Sequence, residues 1–176
     1  MNTIEAILTR RSIRKYISKP VPDAILNQLL QAAMFAPSAR NYRPWQFVVV
    51  NSRQSLDKLT DIHPYAGMLR QASLAILVCG DRHLEKEDGY LAINCAASIQ
   101  NILLAAHELG LGSVWLGVYP REDRMTEMKK HFGLPDHILP IGLVAIGYAD
   151  EQKPVPERFE PQKVHYEKWG NANSAD

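Results

Sequence analysis

The chain has 176 residues, of which 46% are hydrophobic and 22% are charged. This is the composition of an ordinary globular protein and argues against intrinsic disorder. The formal net charge of +1 creates no global field that would attract nucleic acid or an anionic membrane. No apolar run reaches the roughly 18 residues that a membrane span needs, and the N-terminus lacks a signal-peptide pattern. We therefore expect a cytoplasmic protein without nucleic-acid or membrane partners.

Hydrophobic residues recur at helical spacing in five segments of the chain. Pro22 and Asp23 form a favourable start for the second of these segments. Gly110 and Gly133 stand where the last two should end. The sequence therefore predicts helices over residues 3–9, 22–35, 52–61, 88–109 and 121–132.

Four apolar runs between these helices predict buried strands. They cover residues 46–50, 73–79, 113–118 and part of 138–147. The spacing alone favours a parallel, doubly wound sheet in a three-layer α/β fold. The chain contains neither a GxGxxG nor a GxxxxGK[ST] motif, so side chains would have to hold any bound phosphate.

The helix predicted over residues 88–109 is apolar most of the way round, and such a helix must be covered on all sides. Periodicity leaves two explanations open: the helix is buried inside one domain, or a partner subunit covers it. After Tyr148 the periodic pattern stops. The tail that follows is ordered only if something holds it.

A basic turn, RRSIR, follows the first predicted helix. Arg10, Arg11, Ser12 and Arg14 could give a phosphate several charge-assisted hydrogen bonds, although an arbitrary turn of this kind is more often a solvated surface. Arg158 in the proline-rich tail has the same two interpretations.

Two further segments carry groups suited to binding. Ser38 and Asn41, after Pro37, could read the edge of a planar heterocycle, or they could form an ordinary turn before a strand. Gly117 lies inside a predicted strand, where it would allow another group to approach the backbone closely. The alternative is that Gly117 only relieves crowding in the core.

The cysteines and histidines give no sign of a metal site. Cys79 and Cys95 both stand in apolar segments, so we expect two buried free thiols. The six histidines are scattered, without an HxH or HExxH pair, and there is no CxxC motif. Because zinc sites usually show such local spacing, we expect no zinc site.

Four motifs occur in an order that resembles the FMN-dependent nitroreductase family over about residues 4–168. They are RRSIRKY, PSARNYRPWQFVVV, GLGSVWLGVYP after the apolar helix, and IGLVAIGYADEQKPVPERF. The resemblance implies an α+β fold, a three-layer α/β/α sandwich around a mixed sheet of four or five strands. It also implies a homodimer that exchanges C-terminal tails. Residues 1–169 would form a single domain, followed by a disordered tail over residues 170–176.

The resemblance implies two FMN sites at the subunit interface, with NAD(P)H as co-substrate. The basic turn and the tail arginine would hold the phosphate and ribityl chain. A loop from the other subunit would reach the flavin, and backbone N–H groups would face its N5 and O4 atoms. The residues assigned in this way are Arg10, Arg11, Ser12, Arg14 and Arg158, then Pro37, Ser38 and Asn41, and finally Leu116 and Gly117.

The resemblance also implies hydride transfer from NAD(P)H through FMN to a nitroaromatic, quinone or similar small acceptor. The order would be ping-pong, and no catalytic side chain is needed, since the cofactor carries the chemistry. Three alternatives stay open: a non-catalytic flavin carrier or sensor, a dehalogenation-type reduction on the same fold, and a structural or RNA-binding domain without flavin.

Overall fold

The computed structural model describes residues 1–171, and within them five α-helices follow the predicted order. Each predicted boundary is confirmed to within one residue. The predicted tail of residues 170–176 lies outside the described part of the chain from residue 172 onward. The helices are α1 (Thr3–Thr9), α2 (Asp23–Met34), α3 (Arg53–Ile62), α4 (Asp88–Glu108) and α5 (Glu122–Phe132).

Local side-chain chemistry explains where several of these helices begin and end. The Asn2 side chain accepts a hydrogen bond from the Glu5 N–H at the start of α1. Ser52 does the same for Ser55 at the start of α3. Gly133 ends α5 in the left-handed conformation, with φ of 61°, which a residue without a Cβ adopts at little cost.

Five strands form one sheet, and the last of them lies at its centre. The strands are β1 (Tyr16–Ile17), β2 (Trp45–Val50), β3 (Leu74–Asp81), β4 (Gly112–Gly117) and β5 (Ile138–Ala149). β5 pairs with β1, β3 and β4, and β2 pairs with β3. The α+β class and the number of strands are confirmed. The two-residue strand β1 was not among the predicted elements.

The strand directions differ from the parallel sheet that spacing favoured and, in part, from the mixed sheet that the resemblance implied. All ladders between these strands are antiparallel, so the parallel sheet suggested by spacing is wrong. The mixed character is limited to one isolated parallel bridge between Ser12 and Ser113. Spacing gives the length of a connection but not its direction. Between β2 and β3, for example, both α3 and the 3-10 turn Gly67–Arg70 intervene, which adds a reversal of the chain.

Alternating residues of the central strands contribute side chains to two hydrophobic cores, one on each face of the sheet. Leu77 and Leu143 face one core, which includes side chains of α3 and α5. Ile76 and Val144 face the other core, which includes side chains of α2 and α4. The period-two alternation of a strand produces this division, and the predicted three-layer sandwich is confirmed.

The long helix α4 is covered on one side only. Leu91, Cys95, Ile99 and other residues of one face are buried against the sheet and α2, whereas Ile93 is 66% exposed. By length and hydropathy alone α4 could cross a membrane, and 44% of its most apolar window is buried inside the protein. A helix packed within the core of a folded domain meets the same criteria. The chain by itself thus leaves an apolar face of α4 open.

Both cysteines are buried free thiols, as predicted. Burial raises the pKa of Cys79 and of Cys95 to about 12. Neither side chain is therefore a thiolate at neutral pH, which makes both unreactive.

Candidate functional site

A cleft of about 380 Å³ opens where the basic turn lies against the start of β4. Its walls are residues 9–11 with Ile13, His107 near the end of α4 with the following residues 110–113, and Ala149 with residues 151–153. Ile13 donates its N–H to the Ser113 carbonyl at 3.0 Å. A Cβ on Gly112 would come within 2.7 Å of the Ile13 side chain. The absence of a side chain at Gly112 therefore allows the basic turn to pack this closely against β4.

The charges of two other arginines act on Arg10 at this cleft. The pKa of Arg10 is lowered by burial first, and then by the positive charges of Arg11 and Arg158. Within residues 1–171, none of the three forms an ion pair with an acidic side chain. Neighbouring cations that form no ion pair can bind an anion, and planar guanidinium groups suit a phosphate best. The structure thus brings Arg158 into the electrostatic range of the basic turn.

The other residues of the basic turn have different surroundings. Arg11 donates hydrogen bonds to the carbonyls of Leu8, Arg10 and Pro154 at 2.7, 2.5 and 3.1 Å, so it joins the end of α1 to the tail. Arg14 is exposed, and its backbone N–H donates to the Glu151 carboxylate. Of the predicted arginines, Arg10 and Arg11 line the cleft, and Arg11 is bound to backbone carbonyls, whereas Arg14 and Arg158 are not among the lining residues.

The beginning of the tail is held against the basic turn of the same chain. Glu151 accepts hydrogen bonds from the N–H groups of Arg14 and Lys15 at 2.5 and 3.3 Å, which lowers its pKa. Lys153 donates to the Ser12 carbonyl at 2.7 Å. These contacts hold residues 151–154 against the basic turn of the same chain.

His107 lines the same cleft and was not singled out by its sequence context. Its Nε2 lies 2.8 Å from the Thr9 hydroxyl oxygen, and that hydroxyl donates its proton to the Glu5 carbonyl at 2.7 Å. Nε2 must then be the donor to Thr9. Burial, followed by the charge of Arg10, lowers the pKa of His107, so the neutral ring is favoured while the cleft holds no anion.

At the other end of β4, Gly117 presents an open edge. A Cβ built on Gly117 would meet nothing within 4 Å, so the idea that this glycine only relieves crowding in the core is wrong for the chain as described. The neighbouring Leu116 side chain is buried among residues of the α3 and α5 core. The Leu116 side chain is therefore not available for binding. Because Ser113 turns its carbonyl toward Ile13, the alternation along β4 directs the Leu116 N–H to β5 and the Gly117 N–H to the open edge.

The Gly117 carbonyl is fixed by two side chains from other elements. His63 Nε2 lies 3.0 Å from it, and Arg124 Nη1 donates to it at 2.8 Å. His63 Nδ1 accepts from the Tyr65 N–H at 3.2 Å, so Nε2 carries the ring proton and donates it to the carbonyl. Burial lowers the pKa of His63, which maintains this neutral donor. The order of residues along the chain gave no signal for this contact.

The loop predicted to reach a flavin packs on the N-terminal half of α4. The Ala39 N–H donates to Asn94 Oδ1 at 3.0 Å, and the Ser38 hydroxyl accepts from the Arg43 N–H at 2.9 Å. Pro37 and Asn41 are exposed. Asn41 has φ of 56°, a left-handed conformation that is more costly for most side chains than for asparagine.

This loop and the basic cleft lie far apart within one chain. Asn94, beneath the loop, and His107, in the cleft, are both on α4, and 13 residues of helix separate them by about 20 Å. The structure therefore brings Arg10, Arg11 and Ser12 to the start of β4, with Arg158 within the electrostatic range of Arg10. It does not bring Pro37, Ser38 and Asn41 to them.

Comparison with known proteins assigns the fold to a family. A family model described as the nitroreductase family matches residues 7–64 and 62–148. The chain belongs to the nitroreductase family. This match confirms the family that the four sequence motifs indicated.

Individual relatives cover nearly the whole length of this nitroreductase-family chain. A protein of Methanothermobacter thermautotrophicus, provisionally named NADH dehydrogenase/NAD(P)H nitroreductase, is 47% identical over 96% of this chain and 88% of its own. A structure from Parabacteroides distasonis with the same provisional name is 39% identical, with a TM-score of 0.91, and covers 96% of this chain and 100% of its own. A nitroreductase, also provisionally named, from Desulfovibrio desulfuricans was solved in complex with FMN; it is 29% identical, with a TM-score of 0.82, over 96% and 99% of the two chains.

Proposed function

We propose that this chain is an FMN-dependent oxidoreductase that takes electrons from NAD(P)H and reduces a small acceptor such as a nitroaromatic or a quinone. Family membership supports the class of reaction, and the relative solved with FMN supports the cofactor. The observation that carries the proposal is Arg10, which lines the cleft without an ion-pair partner among the described residues and lies within the electrostatic range of Arg11 and Arg158. A cation cluster of this size matches the single terminal phosphate of FMN.

The dimensions of β4 support the same cofactor. Ser113, beside the basic cleft, and Gly117, at the open edge, are four residues apart, which is about 14 Å along a strand. A ligand with a phosphate at one end and a planar ring at the other suits such an arrangement. No glycine-rich pyrophosphate turn occurs in the sequence, and this favours FMN over FAD.

Bound FMN would supply the redox chemistry, in which a hydride passes from NAD(P)H to the flavin and then to the acceptor. Arg10 would hold the phosphate, with Ser12 and Arg158 beside it. The backbone N–H of Gly117 would donate to the ring edge, while His63 and Arg124 hold the Gly117 carbonyl in place. No side chain of this chain need act as acid or base, and both substrates would use the same open face in turn.

We further propose that two copies of the chain complete the site. The loop with Pro37, Ser38 and Asn41 lies about 20 Å along α4 from the chain's own cleft, so it would serve the cleft of the partner. Apolar surface suitable for an interface is exposed on α1, on α4 and along the tail, where Phe159 is 75% exposed. An obligate interface buries about 2,000–5,000 Å², and exchanged tails would contribute to that area.

The proposed activity is tested with purified protein reconstituted with FMN. Oxidation of NADH and NADPH is followed without oxygen, with menadione or nitrofurazone as acceptor, and the protein without flavin is the control. We expect turnover only in the presence of FMN, with parallel lines in double-reciprocal plots. A protein that binds FMN without turnover would be a carrier or sensor, and a protein that binds no flavin would contradict the proposal altogether.

Light scattering tests the assembly separately. The chain has a mass of 19.8 kDa, so a dimer should be found at about twice that value at micromolar concentration. A 20 kDa species that retains FMN would overturn the two-chain site without affecting the assignment of the cofactor.

A further inference from the structure

Three side chains of the kind that bind metal ions meet at the end of β3. Ligand atoms of Asp81, His83 and His137 all lie within 4.8 Å of one another. The strand register explains the meeting, since Asp81 pairs with Ile138 at the start of β5. The basic cleft lies elsewhere: Gly112 pairs with Gly147, nine residues further along β5, or about 30 Å.

The backbone holds this group of three side chains in a defined arrangement. The Arg82 N–H donates to the His137 carbonyl at 2.9 Å, which ties the two segments together. The His83 N–H donates to Asp81 Oδ1 at 2.8 Å. This contact orients the carboxylate and leaves its second oxygen available.

The two imidazole rings are stacked, with centroids 3.9 Å apart and planes inclined by 7°. Among residues 1–171, no side chain or backbone group forms a hydrogen bond with a ring nitrogen of either histidine. The adjacent Arg82 guanidinium is bound to Asp88 through two hydrogen bonds of 2.8 and 2.7 Å, so its charge is directed away from Asp81. Two imidazoles and a carboxylate therefore stand together with unused donor atoms.

We propose that Asp81, His83 and His137 bind a divalent transition-metal ion, Zn²⁺ in the first place, with water completing the coordination. Two nitrogen ligands and one oxygen ligand form a donor set that Zn²⁺ accepts. Zinc–ligand distances of about 2.0–2.1 Å in a tetrahedral site place the ligand atoms about 3.4 Å apart. An imidazole nitrogen binds a metal ion in the plane of its ring, so the stacked rings must rotate out of their parallel arrangement until both nitrogens converge on one ion. The exposed side chain of His83 has room to do so.

An ion at this place would join three segments of the fold. Asp81 ends β3, His83 belongs to the turn that follows, and His137 precedes β5. The Asp81 N–H also donates to the Pro44 carbonyl at 2.8 Å, so the entry to β2 is held by the same residue. The sequence-based expectation of no zinc site rested on spacing along the chain, which does not include partners brought together by strand register.

Calorimetric titration with Zn²⁺ tests the site, using untagged protein that has been treated with a chelator and then freed of it. We expect one ion per chain. Loss of an outer-sphere partner typically weakens metal binding by about 10–100-fold, so H83A and H137A, which each remove a direct ligand, should weaken it by at least about 100-fold. Melting temperature in the presence and absence of Zn²⁺ gives a second measurement, since a ligand that binds the folded state alone stabilises it.

The variant H131A is the matched control, because it removes a histidine from α5 and leaves the proposed ligands intact. It should bind Zn²⁺ as the original chain does. The proposal is overturned if the original chain binds no Zn²⁺ at about 100 µM, if both ligand variants keep its affinity, or if H131A loses affinity to the same degree. Because neither flavin nor NAD(P)H enters the titration, these outcomes are independent of the proposed oxidoreductase activity.

Discussion

Replacing Arg10 by glutamine should have opposite effects on the flavin-free protein and on FMN binding. Arg10 is half-buried, lies beside Arg11 and Arg158, and has no acidic partner among the described residues. Without an anion in the cleft, its charge is therefore unfavourable to the fold. R10Q should leave the melting temperature of the flavin-free protein unchanged or slightly raised.

The same substitution should weaken FMN binding substantially. A hydrogen bond to a charged group contributes about 1.5–3 kcal/mol. Since each 1.4 kcal/mol corresponds to a factor of ten, the dissociation constant should rise by about 10- to 150-fold. R14Q is the control at the same turn, because the Arg14 side chain is exposed and lies outside the cleft lining. We expect it to change the dissociation constant by less than about threefold, the scale of a solvated surface charge.

Riboflavin separates the phosphate contribution from every other effect. The quenching of flavin fluorescence is titrated with FMN and with riboflavin, which lacks the phosphate. The original chain should prefer FMN strongly, and R10Q should lose most of that preference while its affinity for riboflavin stays the same. Equal losses for both ligands, or an unchanged preference for FMN, would refute the assignment of Arg10 to the phosphate.

Three further predictions concern neighbouring parts of the site. G117V should reduce FMN affinity without lowering the melting temperature of the flavin-free protein. G142V should lower that temperature, because a Cβ at position 142 collides with the Trp115 and Ile99 side chains. Equal losses of melting temperature in the two variants would contradict the open edge at Gly117. R11A removes three hydrogen bonds to carbonyls and should lower the free energy of unfolding by about 1–2 kcal/mol. This corresponds to a fall of about 2–8 °C in melting temperature. An unchanged melting temperature would rule out a role of Arg11 in holding the tail. The pKa values of His63 and His107 are lowered from 6.5 in the folded protein, so the unfolded chain binds protons at higher pH than the folded one. The free energy of unfolding of the flavin-free protein, measured by urea titration, should therefore fall as the pH drops through about 6.5. In the double variant H63Q/H107Q this fall should be less steep.

Helices were predictable from the sequence because their signals are local. The stripe of apolar residues in α2 and the glycine that ends α5 both depend on a few neighbouring positions, and both helices begin and end within one residue of the predicted bounds. Strand β1 has only two residues, Tyr16 and Ile17, and exists because it pairs with the far end of β5. No local pattern contains that information.

The candidate site shows the same division between local and distant information. Arg10 and Gly117 stand in motifs that could be identified from sequence order, and the structure places each in surroundings that suit a cofactor. His63 and His107 are separated from their partners by 54 and 98 positions, so their contacts arise only from packing. Arg11 was assigned by residue type to the phosphate, but its hydrogen bonds go to the backbone, because a guanidinium serves carbonyls as well as anions.

The central position of β5 has a consequence for how the chain folds during synthesis. β2 and β3 can pair as soon as both have been made, but among the described strands β1 and β4 form ladders with β5 alone. The first strand therefore stays unpaired until the twelve residues of β5 have left the ribosome. Contacts between distant parts of a chain form slowly, and unpaired strand edges are prone to aggregation. A nascent chain that ends before residue 138 should accordingly depend on chaperones more than the complete chain does.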